Sequence, residues 1–277
     1  MNTPETTRPA HHLRCMGRMA YQLHAPRTAT PERPTIVLAH ALGCDHTMWD
    51  DLAEHLSAAH PVLRYDQYGH GDSDTPTGPY TMAQLADEAA TLIEGLKLGP
   101  VIWIGLSMGG MIGQELALRH PAMVEALVLA NTTSQYPPEA REGWNQRIQG
   151  IRQSGLEGIV DGALTRWFHE GFRHAHSATV AHWRRKVLGC RTEGYLACCE
   201  AIRDVDTFTR LPRIAVPTLV IAGELDLGTP PAMARAIASQ IPRAQLAVLP
   251  EASHLSVLEQ PHAFRDTVDR WLRSLPH

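Results

Sequence analysis

The 277 residues carry 25 Lys and Arg against 29 Asp and Glu, a net charge of −4, so no basic excess exists to hold nucleic acid or an anionic membrane. A chain of this length buries a large core without disulfide or metal staples, and no apolar run reaches membrane-spanning length. The five cysteines (15, 44, 190, 198 and 199) are odd in number and lack zinc-ligand spacing, which reads as free thiols in a reducing cytoplasm, with the vicinal pair half-buried on a helix.

Residues 1–11 are polar, with two prolines and three threonines, and read as a disordered lead-in without the apolar segment of a signal peptide. Met16–His24 has the pattern of an edge strand, and Pro26–Pro34 that of a loop. Thr35–Ala39 is a short apolar strand of the buried parallel kind, running into His40, Ala41, Leu42 and Gly43. Trp49–Ala59 has helical spacing and Val62–Asp66 is the next strand. The turn GHGDSD over 69–74 follows; its His70 lacks the partner spacing of a metal site, and no metal is expected. Thr81 is placed to cap a helix running through Leu96.

The run VIWIGLSMGG over 101–110 joins an apolar strand to an apolar-periodic helix over Met111–Arg119. Ser107 stands at the tip of that strand in a G-x-S-x-G setting, the context of a nucleophile elbow. Small residues on either side let neighbouring backbone pass close to a strained serine. Val124–Ala130 is the following strand. From 132 to 206 strand signals stop, and a helical pattern carries Trp144, Trp167, Phe168, Phe172 and Trp183. This stretch reads as a helical lid inserted into a core formed by 12–131 and 207–277. Pro217–Ala222 resumes the sheet and leads to Asp226. Pro231–Gln240 is a helix, Ala244–Leu249 the last strand, and a closing helix spans Pro261–Leu272, with His254 in the loop between those two.

Three side chains after strands thus stand in the order Ser107, Asp226, His254, the order of the α/β-hydrolase fold. His254 is the expected base for the Ser107 hydroxyl, and Asp226 the group that fixes and stabilises the imidazole. Glu224 is the competing acid, and His262 falls inside the last helix. By position, the backbone N–H groups of Leu42 and Met108 are the expected donors to an oxyanion.

Further residues carry a resemblance. They are GPYT at 78–81, GLSMGGMIGQ at 105–114, LANT at 129–132 and Trp144–Asn145. In the same set are RWF at 166–168, EGYLACC at 193–199, IRD at 202–204, ASHLS at 252–256 and EQP at 259–261. On these the chain resembles α/β-fold hydrolases over nearly its whole length, and within them the bacterial 3-oxoadipate enol-lactonases. It departs from their pattern at Tyr68, where an arginine is usual, and at Ala41, where serine or glycine is usual. The resemblance implies a mostly parallel, eight-stranded type of sheet flanked by helices, with an inserted lid. It also implies hydrolysis of a small carboxylated enol-lactone to 3-oxoadipate through an acyl-enzyme in aromatic-compound catabolism, without a cofactor. An anionic substrate asks for a cation. Arg147, Arg166 and Arg203 are the lid candidates, and Arg166 is taken first. His40, Trp144 and Trp167 complete the expected substrate contacts. No nucleic-acid or membrane partner is implied, and a homo-oligomer is left open. The alternatives on the same fold are a C–C bond hydrolase of aromatic ring-cleavage products, a general carboxylesterase or perhydrolase, and a slow-turnover ligand receptor.

Overall fold

The computed structural model describes residues 14–16, 18–27 and 33–275; the lead-in expected at 1–11 lies outside them. The strands are β1 (Arg14–Met16), β2 (Met19–His24), β3 (Ile36–Ala39), β4 (Val62–Tyr65), β5 (Val101–Leu106), β6 (Val124–Ala130), β7 (Thr218–Gly223) and β8 (Ala244–Leu249). They form one sheet in the order β1-β2-β4-β3-β5-β6-β7-β8. The hairpin of β1 and β2 joins antiparallel, and β4 through β8 run parallel. Met16–His24 therefore holds two strands rather than one, because the chain reverses between Met16 and Met19.

Every residue of β3, β4, β5 and β7 is buried, as expected of apolar strands covered on both faces. Helices α1 (Asp50–Leu56), α2 (Met82–Gly95) and α3 (Met108–Arg119) connect the first parallel strands. The expected helix after Ser107 starts three residues earlier than its apolar periodicity suggests. Gly109 and Gly110 hide the periodic signal, but their lack of side chains is what lets the turn close. From β3 the chain steps outward to β4 and returns to β5 on the other side of β3, so the strand order reverses between β3 and β5. A crevice opens at such a switch point, beyond the carboxyl ends of the strands. Ala39 and Gly105 are partners in register there, so the loops at Leu42 and Ser107 meet over the crevice.

Between β6 and β7 come five helices: α4 (Pro138–Ser154), α5 (Glu157–Trp167), α6 (Glu170–Ala175), α7 (Ser177–Leu188) and α8 (Thr192–Arg203). The chain leaves and re-enters the sheet side by side, through a bridge between Gln135 and Asp206 and a bond from Thr207 N to Ser134 O of 2.8 Å. Trp183, Phe168 and Phe172 are buried among the apolar residues of these helices. Cys198 and Cys199 are fully buried rather than half-buried, because α8 packs against the loop after β4. There Gly69 and Gly194 approach so closely that a Cβ on Gly69 would stand 2.5 Å from Gly194 Cα. The chain closes with α9 (Pro231–Gln240), a short α10 (Ser256–Glu259) and α11 (Pro261–Leu272). Among the described residues no helix is long and apolar enough to cross a membrane.

The expected cap on α2 is a capping box. Thr81 Oγ1 accepts from Gln84 N at 3.1 Å, and Gln84 Oε1 accepts from Thr81 N at 2.9 Å. Thr81→Ala is expected to cost about 1 kcal/mol and lower Tm by about 2–4 °C. A melting curve overlaying the wild type would show the box to be idle.

Candidate active site

The elbow follows from contacts that a side chain would forbid. A Cβ on Gly105 would lie 2.1 Å from Gly109 O, and one on Gly109 would lie 2.1 Å from Ala39 O. Trp103 Nε1, two residues before Gly105, donates to Gly109 O at 3.0 Å and pins strand to helix. Between them Ser107 takes φ 55° and ψ −113°, in the left-handed half of backbone space, and its N–H is held by Ala130 O at 2.9 Å. Helix α3 starts at the next residue, Met108, so its unpaired N–H groups begin beside the serine.

His254 Nε2 lies 3.0 Å from Ser107 Oγ. On the other side of the ring, Nδ1 lies 2.9 and 3.1 Å from the two Asp226 oxygens. Asp226 is buried and receives four more hydrogen bonds: Asn131 Nδ2 at 2.9 Å, Gly228 N at 2.8 Å, Thr229 N at 2.9 Å and Thr229 Oγ1 at 2.8 Å. Burial alone would raise its pKa. The His254 charge and the bonds from His254, Asn131 and Thr229 outweigh that and hold it below the usual carboxylate value. A carboxylate fixed in this way keeps Nδ1 protonated and leaves Nε2 free to take a proton from the serine. Glu224 is exposed and accepts from Glu251 N, and His262 is exposed beside Arg265, so neither joins the arrangement.

Ser107 and His254 open onto a cavity of about 250 Å³. Leu42, Trp144, Arg147, Arg166 and Trp167, all candidates above, are among the residues that line it. His40 is not. It is fully buried, and both ring nitrogens face backbone groups, at Ala41 and Gln67, beneath the loop after β3. Arg203 is also elsewhere, paired with Asp204 at 2.6 Å and with Asn145 at 3.2 Å. Sequence reasoning missed Tyr136, Leu227 and Gly228 on the cavity wall and Asn131 behind Asp226. Asn131 had a positional signal, since it directly follows β6; the other three had none.

Neither cavity arginine has a carboxylate partner among the described residues. Arg147 lies over the rings of Trp144 and Tyr195, at 5.1 and 5.5 Å, and donates to Tyr195 Oη, while its buried Nε has no partner. Arg166 is exposed; desolvation first, then the like charge of Arg147, lowers its pKa below the usual guanidinium value. Two cations that line one cavity with no carboxylate partner among the described residues have the chemistry to bind an anion.

Residues 36–267 match the alpha/beta hydrolase family, and the chain belongs to it. It is 37% identical over 238 residues to 3-oxoadipate enol-lactonase 2 of Acinetobacter baylyi, covering 86% of this chain and 88% of that protein. The enol-lactonase structure from Burkholderia xenovorans LB400 superposes with a TM-score of 0.88 at 36% identity, covering 95% of this chain and all of that one (100%). A RutD protein of Serratia proteamaculans, named for carbamate hydrolysis, is 31% identical over 250 residues, 88% of this chain and 92% of its own. The chain is thus a hydrolase, and the enol-lactonases are among the proteins it is most similar to.

The loop after β3 is also tied to α7, where Lys186 Nζ donates to Asp45 at 2.5 Å. Burial would raise the Asp45 pKa, but Lys186 and Thr47 bring it down to about 2. The folded carboxyl therefore titrates below the unfolded one, so the stabilisation is complete above about pH 4 and fades as pH falls toward 2. The shift corresponds to about 2 kcal/mol. Urea unfolding of Asp45→Asn is expected to show that deficit at pH 6 and roughly half of it at pH 3. An equal deficit at both would remove the ion pair as its source.

Proposed function

We propose that the chain is a serine hydrolase that opens a small carboxylated enol-lactone, with 3-oxoadipate enol-lactone and water giving 3-oxoadipate. One observation carries this reading: the Ser107–His254–Asp226 chain of hydrogen bonds opens into the same small cavity as two guanidinium groups that have no carboxylate partner among the described residues. The similarity to the enol-lactonases supports the substrate.

In this mechanism Ser107 Oγ attacks the ring carbonyl as His254 Nε2 takes its proton. Asp226 stabilises the imidazolium that forms. The N–H groups of Leu42 and Met108 receive the developing oxyanion; donors fixed in advance cost no reorganisation at that moment. His254 then protonates the departing enol oxygen, which leaves more readily than an alkoxide would. Water, deprotonated by the same imidazole, attacks the acyl-enzyme and frees the acid. Helices α4–α8 act as a lid over the crevice and carry Arg147 and Arg166 to the substrate carboxylate, with Trp144 and Trp167 as apolar walls. Cys44, Cys190, Cys198 and Cys199 are free thiols. They fit a cytoplasmic enzyme of aromatic-compound breakdown.

The decisive assay follows the ultraviolet loss of the enol-lactone beside 4-nitrophenyl acetate, with Ser107→Ala as control. Fast lactone loss that the substitution reduces by at least about 10⁴-fold is expected. Good ester turnover with slow lactone loss would keep the serine mechanism and discard the substrate. The RutD similarity makes carbamate the second substrate to try, and turnover of carbamate alone would replace the lactone reading.

The arginines separate binding from chemistry. A charge-assisted hydrogen bond is worth about 1.5–3 kcal/mol. Arg166→Ala and Arg147→Ala are accordingly expected to raise KM for the lactone by about 10–100-fold, with kcat within a few-fold of wild type. KM for uncharged 4-nitrophenyl acetate is expected to stay put. A wild-type lactone KM in either variant would take that arginine out of the anion site.

A further inference from the structure

Of the four backbone N–H groups over 41–44 in the loop after β3, three have acceptors. Ala41 N donates to Met48 Sδ at 3.4 Å, Gly43 N to His70 Nε2 at 2.9 Å, and Cys44 N to Ala41 O at 3.1 Å. Leu42 N alone of these four has no acceptor among the described residues, and Leu42 lines the cavity with Ser107.

Two buried imidazoles hold the peptides on either side of Leu42. His40 Nδ1 is 2.7 Å from Ala41 O, and its Nε2 is 2.8 Å from Gln67 N. A carbonyl only accepts and a backbone N–H only donates, so the partners assign the tautomer: Nδ1 carries the proton and Nε2 the lone pair. His70 follows the same rule, with Nδ1–H toward Tyr68 O at 2.9 Å and Nε2 accepting from Gly43 N. The loop after β3 thus sends His40 into the loop after β4, and that loop sends His70 back. The rings stand 5.3 Å apart and are wholly buried. Burial lowers the pKa of both, that of His70 to about 3, so both rings stay neutral and keep the lone pairs this cross-tie needs.

A trans peptide places its C=O and N–H on opposite sides of one plane. A hydrogen bond on Ala41 O therefore fixes where the Leu42 N–H points. We propose that His40 and His70 are positioning residues for the oxyanion donor. His40 acts through the carbonyl of the peptide that carries the Leu42 N–H, and His70 through the N–H of the peptide that follows. The proposal rests on the reading of Ser107 as nucleophile. It also assigns distinct requirements to the two rings: His40 must donate from the Nδ1 position, and His70 must accept at the Nε2 position.

Those requirements set the test. In place of histidine, an asparagine amide falls near Nδ1 and a glutamine amide near Nε2. Steady-state kinetics on 4-nitrophenyl acetate would compare Leu, Asn and Gln at each position in the full chain, with a melting curve for each variant and Ser107→Ala as the baseline. His40→Leu and His70→Leu are expected to lower kcat by about 10–100-fold, with KM within about threefold, since losing an oxyanion donor outright costs about 10²–10³. His40→Asn should recover most of kcat while His40→Gln does not; His70→Gln should recover it while His70→Asn does not. If the leucine variants fail to fold, the four amide variants carry the comparison alone. Equal responses to Asn and Gln at both positions, wild-type kcat throughout, or kcat loss that only tracks Tm would each overturn the proposal. Undiminished turnover in Ser107→Ala would instead overturn the nucleophile reading, and is seen separately.

Discussion

The site depends on one close approach of backbone to backbone, where Gly109 passes under Ala39 O and Gly105 lies against Gly109 O. That approach sets three things at once. It brings the end of β3 beside the end of β5, so that the loop at Leu42 and the serine share a crevice. It forces the chain through a positive φ at Ser107. And it starts α3 directly after that residue, with free N–H groups at its first turn. A single methyl group at either glycine would have to displace main chain rather than a flexible side chain, and cores of native density have no room for this.

From that fixed point the polar groups are arranged by how fully they are satisfied. Asp226 receives bonds from three neighbours besides His254, including Asn131, which is itself held by Ser256 Oγ at 2.6 Å. The carboxylate therefore has no alternative orientation and no reason to pick up a proton. The cavity arginines are the opposite case. They stand on α4 and α5 with no carboxylate partner among the described residues; Arg147 meets two aromatic faces and a phenol, and its buried Nε is left unpaired. An unpaired buried donor costs free energy that a hydrogen-bonding partner can return. Charge is neutralised around Asp226 and left without a carboxylate partner, among the described residues, at the two cavity arginines.

Most of the fold was legible because its signals are local. Apolar runs of four to seven residues gave the parallel strands. Thr81 announced the start of α2, and the glycines around Ser107 announced the elbow. What the sequence hid was non-local. Asn131 meets Asp226 across 95 positions, and Tyr136 reaches the cavity only because the inserted helices fold back over it. Leu227 is 72% exposed, so no burial pattern could have marked it as a cavity residue. Arg147, Arg166 and Arg203 look alike as letters. Arg203 sits beside Asp204 and is consumed by it, whereas the other two face aromatic rings or open space.

The histidines show why residue type alone does not assign chemistry. Three imidazoles lie near the carboxyl ends of the central strands, and each has both nitrogens engaged. For His40 and His70 both partners are backbone groups that can neither gain nor lose a proton. Such a ring is locked in one tautomer, and burial removes its basicity; it can only hold geometry. His254 faces a carboxylate on one side and a hydroxyl on the other. A carboxylate favours the protonated ring and a hydroxyl has a proton to give, so of the three only this ring has partners suited to proton exchange. The same side chain becomes a base or a brace according to whether its partners can exchange protons, and that is decided by which loops the strand order brings together at the crevice.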